Sequence, residues 1–500
     1  MTVKSFPISR IPVSFYVSRA AVLLWALCLL VAVLSFGTVD RNAQALSVIL
    51  CGLAAGIGAV APGFPGGAAG RLLRTFVWFL LVLLLLIGLQ ILPLSGLADP
   101  AWSELARIGI SKTGTISVAP ADTVEAILPL ALPCLMFLVT LILFQSDESA
   151  VRAFGIVAIA ASVIIVLTLL QYLLAPGMIL LTELPFKRSG FSAFVINRNN
   201  AATFLGVTAL MLCPVLQKHY AAIDTKRIVK WILDGVRPPG VGSIFKAIAI
   251  ALLFSLTLAG LFLTQSRGGV LASFCGFFVF FVLMSIGKPA SPSRNAGFSG
   301  SRSVWSKPIV RLALGLSTLV AVLAIFGGQL LLRAEVQGAE DGRRCVLDGL
   351  ISAATRNWMT GSGFGAFSST FPAYRDPYCG IAGFWDRAHN SYLEAFIGLG
   401  IVALPLIAVS VFLLFRPLMT GLRQRRRLRP YPAAGIAVLV LVLVHATVDF
   451  SLQIPGVAAY VAVCLALIST ISLGRTSRRG TEKRSRHNER VIGARTDPVL

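Results

Sequence analysis

Long apolar runs constrain the folding of this chain more than any other feature. Read as spans, they cover residues 20–38, 43–61, 76–94, 127–144, 153–174 and 201–216, then 247–263, 268–286, 312–332, 393–415, 433–448 and 454–473. About 20 apolar residues in helical form cross a bilayer core, whereas soluble chains rarely carry such runs. Composition agrees: 56% of the 500 residues are hydrophobic and only 13% charged, against about 25% charged in soluble domains, and the mean hydropathy is +0.83. The chain therefore reads as an all-α polytopic membrane protein with about twelve transmembrane helices. Soluble multidomain enzymes, disordered chains and disulfide scaffolds are excluded together.

A net charge of +23 and a pI near 10.5 would suggest nucleic acid in a soluble protein. Twelve spans, however, put both chain ends on one face, and that face receives 31 of the 44 Lys and Arg but only 7 of the 21 Asp and Glu. This is the positive-inside pattern of an inner-membrane protein with cytoplasmic ends. The basic surplus then reports topology and anionic lipid, with no nucleic-acid partner required. Much of it lies in one loop, with Arg416, Arg423, Arg425, Arg426, Arg427 and Arg429, and in the tail. The domain reading is a cytoplasmic segment 1–19, a membrane domain 20–473 and a basic cytoplasmic tail 474–500. Lys4, Arg10 and Arg19 precede the first span without a small-residue cleavage site, so that span reads as an uncleaved helix. Six of the eight cysteines fall within spans as small packing residues. Cys345 and Cys379 share the large outer loop 333–392 between the ninth and tenth spans, where an oxidising compartment would permit a disulfide.

No Asp, Glu, Lys, Arg or His falls in the middle of a span; polar residues gather at the outer ends instead. Coupled transporters usually keep an ionisable group or a broken helix near the midplane, and only Pro129, Pro133 and Pro214 keep that reading open. Three outer segments stand out. The first holds Lys187, Arg188, Ser189 and Gly190, followed by Asn197, Arg198, Asn199 and Asn200. The second is Thr264-Gln265-Ser266-Arg267-Gly268-Gly269. The third is Arg387-Ala388-His389-Asn390-Ser391-Tyr392-Leu393-Glu394. Each opens a helix running from outside to inside, so each presents unpaired N–H groups and a positive dipole end to the outer interface. Asn200 and Ser266 are the expected N-caps there, and Ser391 with Glu394 has capping-box spacing. Capping and snorkelling would explain any one segment alone. Three together, with Arg188, Arg198 and Arg267 beside the helix starts, describe a polyanion site if the helices converge, because the arginine fork matches phosphate.

His389, the only histidine in the outer loops, is suited to take a proton from an acceptor hydroxyl. His445 and Asp449 stand four apart at the outer end of the eleventh span, either tying helices together or extending the site. In the long loop, Val346, Leu347, Leu350, Ile351, Ala354 and Trp358 recur at helical spacing and predict a surface helix over the spans. The glycine run Gly361-Ser362-Gly363-Phe364-Gly365 lacks the Lys-Ser/Thr of a phosphate loop and reads as a tight turn. The outer face shows no metal-ligand spacing, so no metal or cofactor is expected.

Taken in order, Arg188-x-Gly190 with Asn197-Arg198-Asn199-x-Ala201, Thr264-x-Ser266-Arg267-Gly268, Gly361-x-Gly363-x-Gly365-x-Phe367 with Phe371-Pro372-x-Tyr374-Arg375, and His389-Asn390-x-Tyr392-Leu393 resemble the O-antigen ligase and O-antigen polymerase superfamily. The resemblance runs from about residue 117 to 455 and includes Asp449 and Pro455. One departure concerns the ligase pattern of a histidine followed by Gly-x-x-Gly: Gly400 is present, but Ala403 replaces the last glycine. The resemblance implies a GT-C-like membrane glycosyltransferase that is metal-independent and inverting. Its donor would be an undecaprenyl-pyrophosphate-linked glycan at the periplasmic face, and its acceptor lipid A-core, another glycan, or a protein hydroxyl. It implies that Arg188, Arg198 and Arg267 hold the pyrophosphate and that His389 activates the acceptor. Lys187, Asn197, Asn199, Asn390, Tyr392, Arg375 and Arg387 would complete the substrate contacts. A flippase for lipid-linked sugars, or a structural partner in polysaccharide export, are the alternatives from other classes.

Overall fold

The computed structural model describes residues 13–110, 112–180, 182–183, 190–221, 241–286, 346–376, 378 and 385–474. Within them the chain is almost wholly helical, the exception being a two-stranded antiparallel hairpin of Met178–Ile179 and Thr182–Glu183. The helices that position the site are α1 (Val13–Leu34), α2 (Arg41–Val60), α3 (Gly67–Gln90), α4 (Ile127–Leu143), α5 (Asp147–Leu174), α6 (Arg198–Tyr220), α7 (Val241–Leu263) and α8 (Arg267–Ile286). After them come α9 (Leu347–Arg356), α10 (Ser391–Leu399), α11 (Ala403–Gln424), α12 (Pro430–His445) and α13 (Pro455–Leu473).

Among the described residues, ten helical segments are long and apolar enough to cross a membrane, α10 and α11 counting as one. The eleventh predicted span appears as α12, whose 16 residues make it shorter. The predicted span 312–332 lies outside the described residues. The protein is thus a multi-pass membrane protein.

Two helices form the centre. α13 is 89% buried over its apolar window and α6 is 83% buried, whereas α3 is only 22% buried and faces outward. Small residues explain the close approach at the centre, since in lipid helix association depends on packing and not on hydrophobic burial. A Cβ on Gly206 of α6 would meet Leu441 at 2.8 Å and collide with Ser273 of α8. A Cβ on Gly276 of α8 would lie 3.0 Å from the Ala437 carbonyl of α12. Polar groups inside the bundle pair with each other: Thr208 Oγ1 lies 2.9 Å from the Tyr460 hydroxyl, and the Trp25 indole N–H donates to Thr140 Oγ1 at 2.9 Å.

Several boundaries differ from the sequence reading for local reasons. α6 begins at Arg198, three residues earlier than expected, because Asn197 caps it by accepting from the Asn199 N–H at 2.8 Å. Asn200, the expected cap, is the buried third residue of the helix. The tenth span breaks at Gly400, whose φ of 62° ends α10 before a short 3-10 turn leads into α11. The cap of α10 is Asn390, which accepts from the Tyr392 and Leu393 N–H groups at 3.1 Å. That frees Ser391 from the expected capping box, and Glu394 instead accepts from the Ala388 N–H at 2.8 Å.

The helix expected in the loop 333–392 is present as α9, but its packed stripe is narrower than expected. Val346, Leu350, Ala353 and Ala354 pack with Phe367, Phe371, Ala388 and Ile397, while Leu347, Ile351 and Trp358 are 43%, 46% and 51% exposed. A ten-residue helix offers one face to the bundle, and the second apolar stripe is left outward. Beneath α9, Asp99 accepts from the Ala101 N–H at 2.9 Å and from the Asn357 amide. Burial pushes the Asp99 carboxyl above the usual range, opposed by these bonds and by Arg356. A carboxyl held this way binds its proton more tightly in the folded loop than in the unfolded chain. Loop stability is then highest below the unfolded pKa and falls as pH rises through the raised value. Protection factors in residues 346–360, which divide out the intrinsic pH dependence of amide exchange, should fall across that interval, and Asp99→Asn should remove the fall; an unchanged fall in the variant would refute the assignment.

Candidate functional site

The three polar segments meet at one end of the bundle. The contacts start at Asn199 in the first turn of α6. Its amide donates to Asp449 Oδ2 at 2.7 Å, and its carbonyl oxygen accepts from Ser266 Oγ at 2.7 Å. Ser266 caps α8, since its Oγ also accepts from the Gly269 N–H at 3.2 Å. Asp449 follows α12, and its side chain is only 1% exposed. Its second oxygen accepts from the Phe450 N–H at 2.8 Å. His389 Nδ1 stands 3.9 Å from Asp449 Oδ2, which is too long for a hydrogen bond and within reach of one after a small side-chain shift. Ser391 joins the third segment to the same point, its Oγ donating to the Asp449 carbonyl at 3.0 Å and its N–H to the Ala446 carbonyl at 2.9 Å.

The approach of these elements depends on glycine. A Cβ on Gly268 would stand 2.8 Å from Val448, and one on Gly269 would collide with Ala202 of α6 and sit 3.0 Å from Ser266 Oγ. A Cβ on Gly190 would stand 2.7 Å from the Thr264 carbonyl, which explains how the first segment lies against the second. His445, one turn before Asp449, is 2% exposed, and its Nδ1 lies 2.6 Å from Thr203 Oγ1 and 3.4 Å from Ser451 Oγ. His445 and Asp449 thus both bind α12 to α6, Asp449 through the cluster and His445 beneath it.

His389 is held by the shape of its surroundings. Trp385 and Phe450 meet its ring edge-on, with centroids 5.3 and 4.9 Å away. Its backbone φ of 52° lies in the left-handed region, as does that of Gln265 at 55°. Strained conformations in non-glycine residues persist where the surroundings enforce them, and they concentrate at functional sites. His389 Nδ1, Gln265 Oε1 and Asn200 Oδ1 are buried polar atoms with no hydrogen-bond partner among the described residues. Such orphans are rare in folded proteins and suit a polar ligand that would satisfy them.

Directly inward of this cluster lies a cavity of about 440 Å³. Phe76 and Phe79 of α3, Phe137 of α4, Leu406 of α11 and Val461 of α13 are among its walls, and Ser391 and Tyr392 form its outer end. Its lining is almost wholly apolar, and Ser391 both lines it and bonds to the Asp449 carbonyl of the cluster.

Residues 252–408 match the family model described as O-antigen ligase. The match supports the O-antigen ligase and polymerase superfamily for this chain. No curated protein matches it. Two of the three converging segments, with α8, α10 and the start of α11, fall inside the O-antigen ligase match; Asn199 and Asp449 lie outside it in sequence and join it in space.

The glycine run in the matched segment is a tight turn that fastens the loop before Ser391 to the bundle. Gly361, Gly363 and Gly365 all have positive φ, of 72°, 109° and 76°. The Ser362 and Gly363 N–H groups donate to the Ile397 and Gly398 carbonyls at 2.8 and 3.1 Å. Gln90, at the end of α3, donates to the Thr360 and Gly398 carbonyls at 3.0 and 2.8 Å and accepts from the Phe364 N–H at 2.9 Å. Ala403, in place of the family's glycine, is fully buried at the first turn of α11 and packs with Leu83, Ile87 and Leu399.

The other expected site residues divide. Arg198 and Arg267 are half-buried at the first positions of α6 and α8, beside Asn199 and Ser266. Arg387 pairs with Glu394 at 3.3 Å, and Tyr392 donates its hydroxyl to the Leu443 carbonyl at 2.8 Å, so both already carry structural bonds. Asn197 and Asn390 serve as caps. Arg375 follows the turn Phe371–Tyr374, whose Phe371 ring lies 6.4 Å from that of Trp385. Lys187, Arg188, Cys345 and Cys379 lie outside the described residues. Sequence reasoning missed Thr203, Trp385, Phe450 and Ser451. Thr203 could have been found, because it stands one helical turn after Asn199 on the same face.

Proposed function

We propose that this protein is a GT-C-like membrane glycosyltransferase of twelve spans. It moves a glycan from an undecaprenyl-pyrophosphate donor to a hydroxyl acceptor at the periplasmic face, with both chain ends in the cytoplasm. The observation that carries the reading is the two-part site: a strained, histidine-bearing polar cluster joined through Ser391 to an apolar cavity between the helices. A lipid-linked glycan has the same two parts, an aliphatic chain and an anionic head. The family match supports the reaction class.

In this reading Arg198 and Arg267, with the open ends of α6 and α8, hold the pyrophosphate and stabilise the charge that develops on it as it leaves. Arg188 and Lys187 are assigned to the same anion by the resemblance. The acceptor oxygen attacks the anomeric carbon as the carbon–oxygen bond to the pyrophosphate breaks. The electron pair leaves with the lipid carrier, the configuration inverts, and the acceptor proton passes to His389. Asp449 orients His389, and Asn199 holds Asp449. These groups account for the step without a metal or cofactor. The aromatic and aliphatic walls of the cavity suit a hydrocarbon chain better than a sugar in transit, which sets the transferase above the flippase.

The test is a glycan analysis of cells lacking the gene, complemented with wild type or Arg267→Ala. Full-length chains accumulating on the carrier identify a ligase, and single repeats a polymerase. The transferase reading expects Arg267→Ala to leave the accumulation uncorrected while the protein remains in the membrane. Full correction by that variant would return the flippase to the front.

A further inference from the structure

α9 carries more apolar surface than the protein covers. Leu350, Ala353 and Ala354 pack with Phe371, Ala388 and Ile397. Leu347 and Ile351, one turn apart, extend that stripe beyond the covered arc, and the exposed polar residues Asp348, Ser352 and Thr355 lie further round the same helix. Past the end of α9 the exposed apolar strip continues with Trp358 and Met359. We infer that this strip docks into the lipid leaflet at the end of the bundle where the candidate site lies.

The neighbours of the strip identify what covers it. The Ile401 N–H donates to the Trp358 carbonyl at 2.7 Å, and the Gln90 amide donates to the Thr360 carbonyl at 3.0 Å. These two bonds fix residues 358–360 at the adjacent ends of α11 and α3. Both helices belong to segments long and apolar enough to cross a membrane, and the protein buries only 33% and 22% of their apolar windows. Leu85 and Leu89 of α3, Leu404 and Phe412 of α11, and Ile401 are exposed. Exposed apolar side chains on a spanning helix face lipid. Trp358 and Met359 thus prolong a surface already turned to lipid, at the level where two spans leave the hydrocarbon. Tryptophan favours that level, because its ring is apolar and its N–H reaches the headgroups. Arg356, exposed in the last turn of α9, places a guanidinium within two residues of Trp358, where a headgroup phosphate can take it.

The covered side of the strip bears on the site. Phe371, packed beneath α9, lies 6.4 Å from Trp385, whose ring meets that of His389 at 5.3 Å. Docking holds this layer, and His389 with it, close to the lipid headgroups. That consequence rests on the proposed transfer reaction; the docking itself does not.

The test reads tryptophan fluorescence of the full chain in phosphatidylcholine nanodiscs. The difference between wild type and Trp358→Phe isolates the emission of this one ring. It is measured in plain lipid, in lipid brominated near the glycerol end of its acyl chains, and with iodide in solution. The expected result is loss of most of that emission to bromine and little to iodide. In the Trp358→Phe background, Ile351→Trp should be quenched by brominated lipid and Ser352→Trp by iodide, because the two positions are adjacent in sequence and only the first lies on the strip. Every replaced side chain is exposed, so the variants should keep the wild-type unfolding midpoint. Quenching of Trp358 by iodide alone would overturn the inference. So would shielding from both probes, as contact with a second copy would give, or equal bromine quenching at positions 351 and 352. No outcome is read from glycan transfer, so failure of the docking and failure of the transfer reading are seen separately.

Discussion

Replacing His389 by Ala is expected to lower glycan transfer by about 10²- to 10⁴-fold, the usual contribution of a positioned general base, while the protein remains folded and in the membrane. The ring is a quarter exposed, so its removal leaves no large core cavity. Asp449→Asn tests the arrangement behind it. Asparagine keeps the shape and retains an acceptor toward the Phe450 N–H, but it removes the negative charge 3.9 Å from His389 Nδ1. A loss of transfer by more than about tenfold is expected because the group that orients the base is changed, together with a stability loss of about 1–3 kcal/mol because the asparagine NH2 then faces the Asn199 amide donor. Transfer is measured with purified enzyme and lipid-linked donor. Wild-type rates in His389→Ala would remove the base from the mechanism, and wild-type rates in Asp449→Asn would reduce that residue to a helix tie.

Gly361→Ala should have a large structural effect for a single added methyl group. Gly361 has φ of 72°, and a Cβ there would collide with the Gly398 carbonyl and stand 2.6 Å from the Gly400 nitrogen. The left-handed backbone costs an alanine roughly 1–2 kcal/mol, and overpacking against rigid backbone adds about 1–3 kcal/mol. The turn that ties α9 to α10 and to Gln90 should therefore open. Limited proteolysis of the intact protein should cut the segment around residues 357–366 faster than in wild type, and transfer should fall with it, because α10 carries Ser391 and follows His389. Wild-type resistance would show that the turn tolerates a side chain and that its glycines are incidental.

Sequence and structure divide at recognisable places. Apolar run length made the membrane class and most of the spans legible, because the cost of exposing polar backbone and side chains to lipid acts on each segment separately. Helix starts were legible for the same local reason, though by a residue or more: Asn197 took the cap in place of Asn200, and Asn390 in place of Ser391. The face of α9 was not legible, since both of its apolar stripes have helical spacing and only contact with Phe371, Ala388 and Ile397 selects one.

What the chain determined by itself is therefore its membrane-spanning character, the polar groups at one set of helix ends, and the residue types available there. The tertiary structure alone decided that Asn199, Ser266, His389 and Asp449 meet. Asn199 and Asp449 stand 250 positions apart, and no local periodicity encodes a contact of that separation. It arises because Ala202, Gly268 and Gly269 let α6, α8 and the end of α12 approach until their polar ends touch. The apolar cavity below them is likewise a property of the packed bundle, being the space left between helices whose individual sequences show only that they belong in lipid.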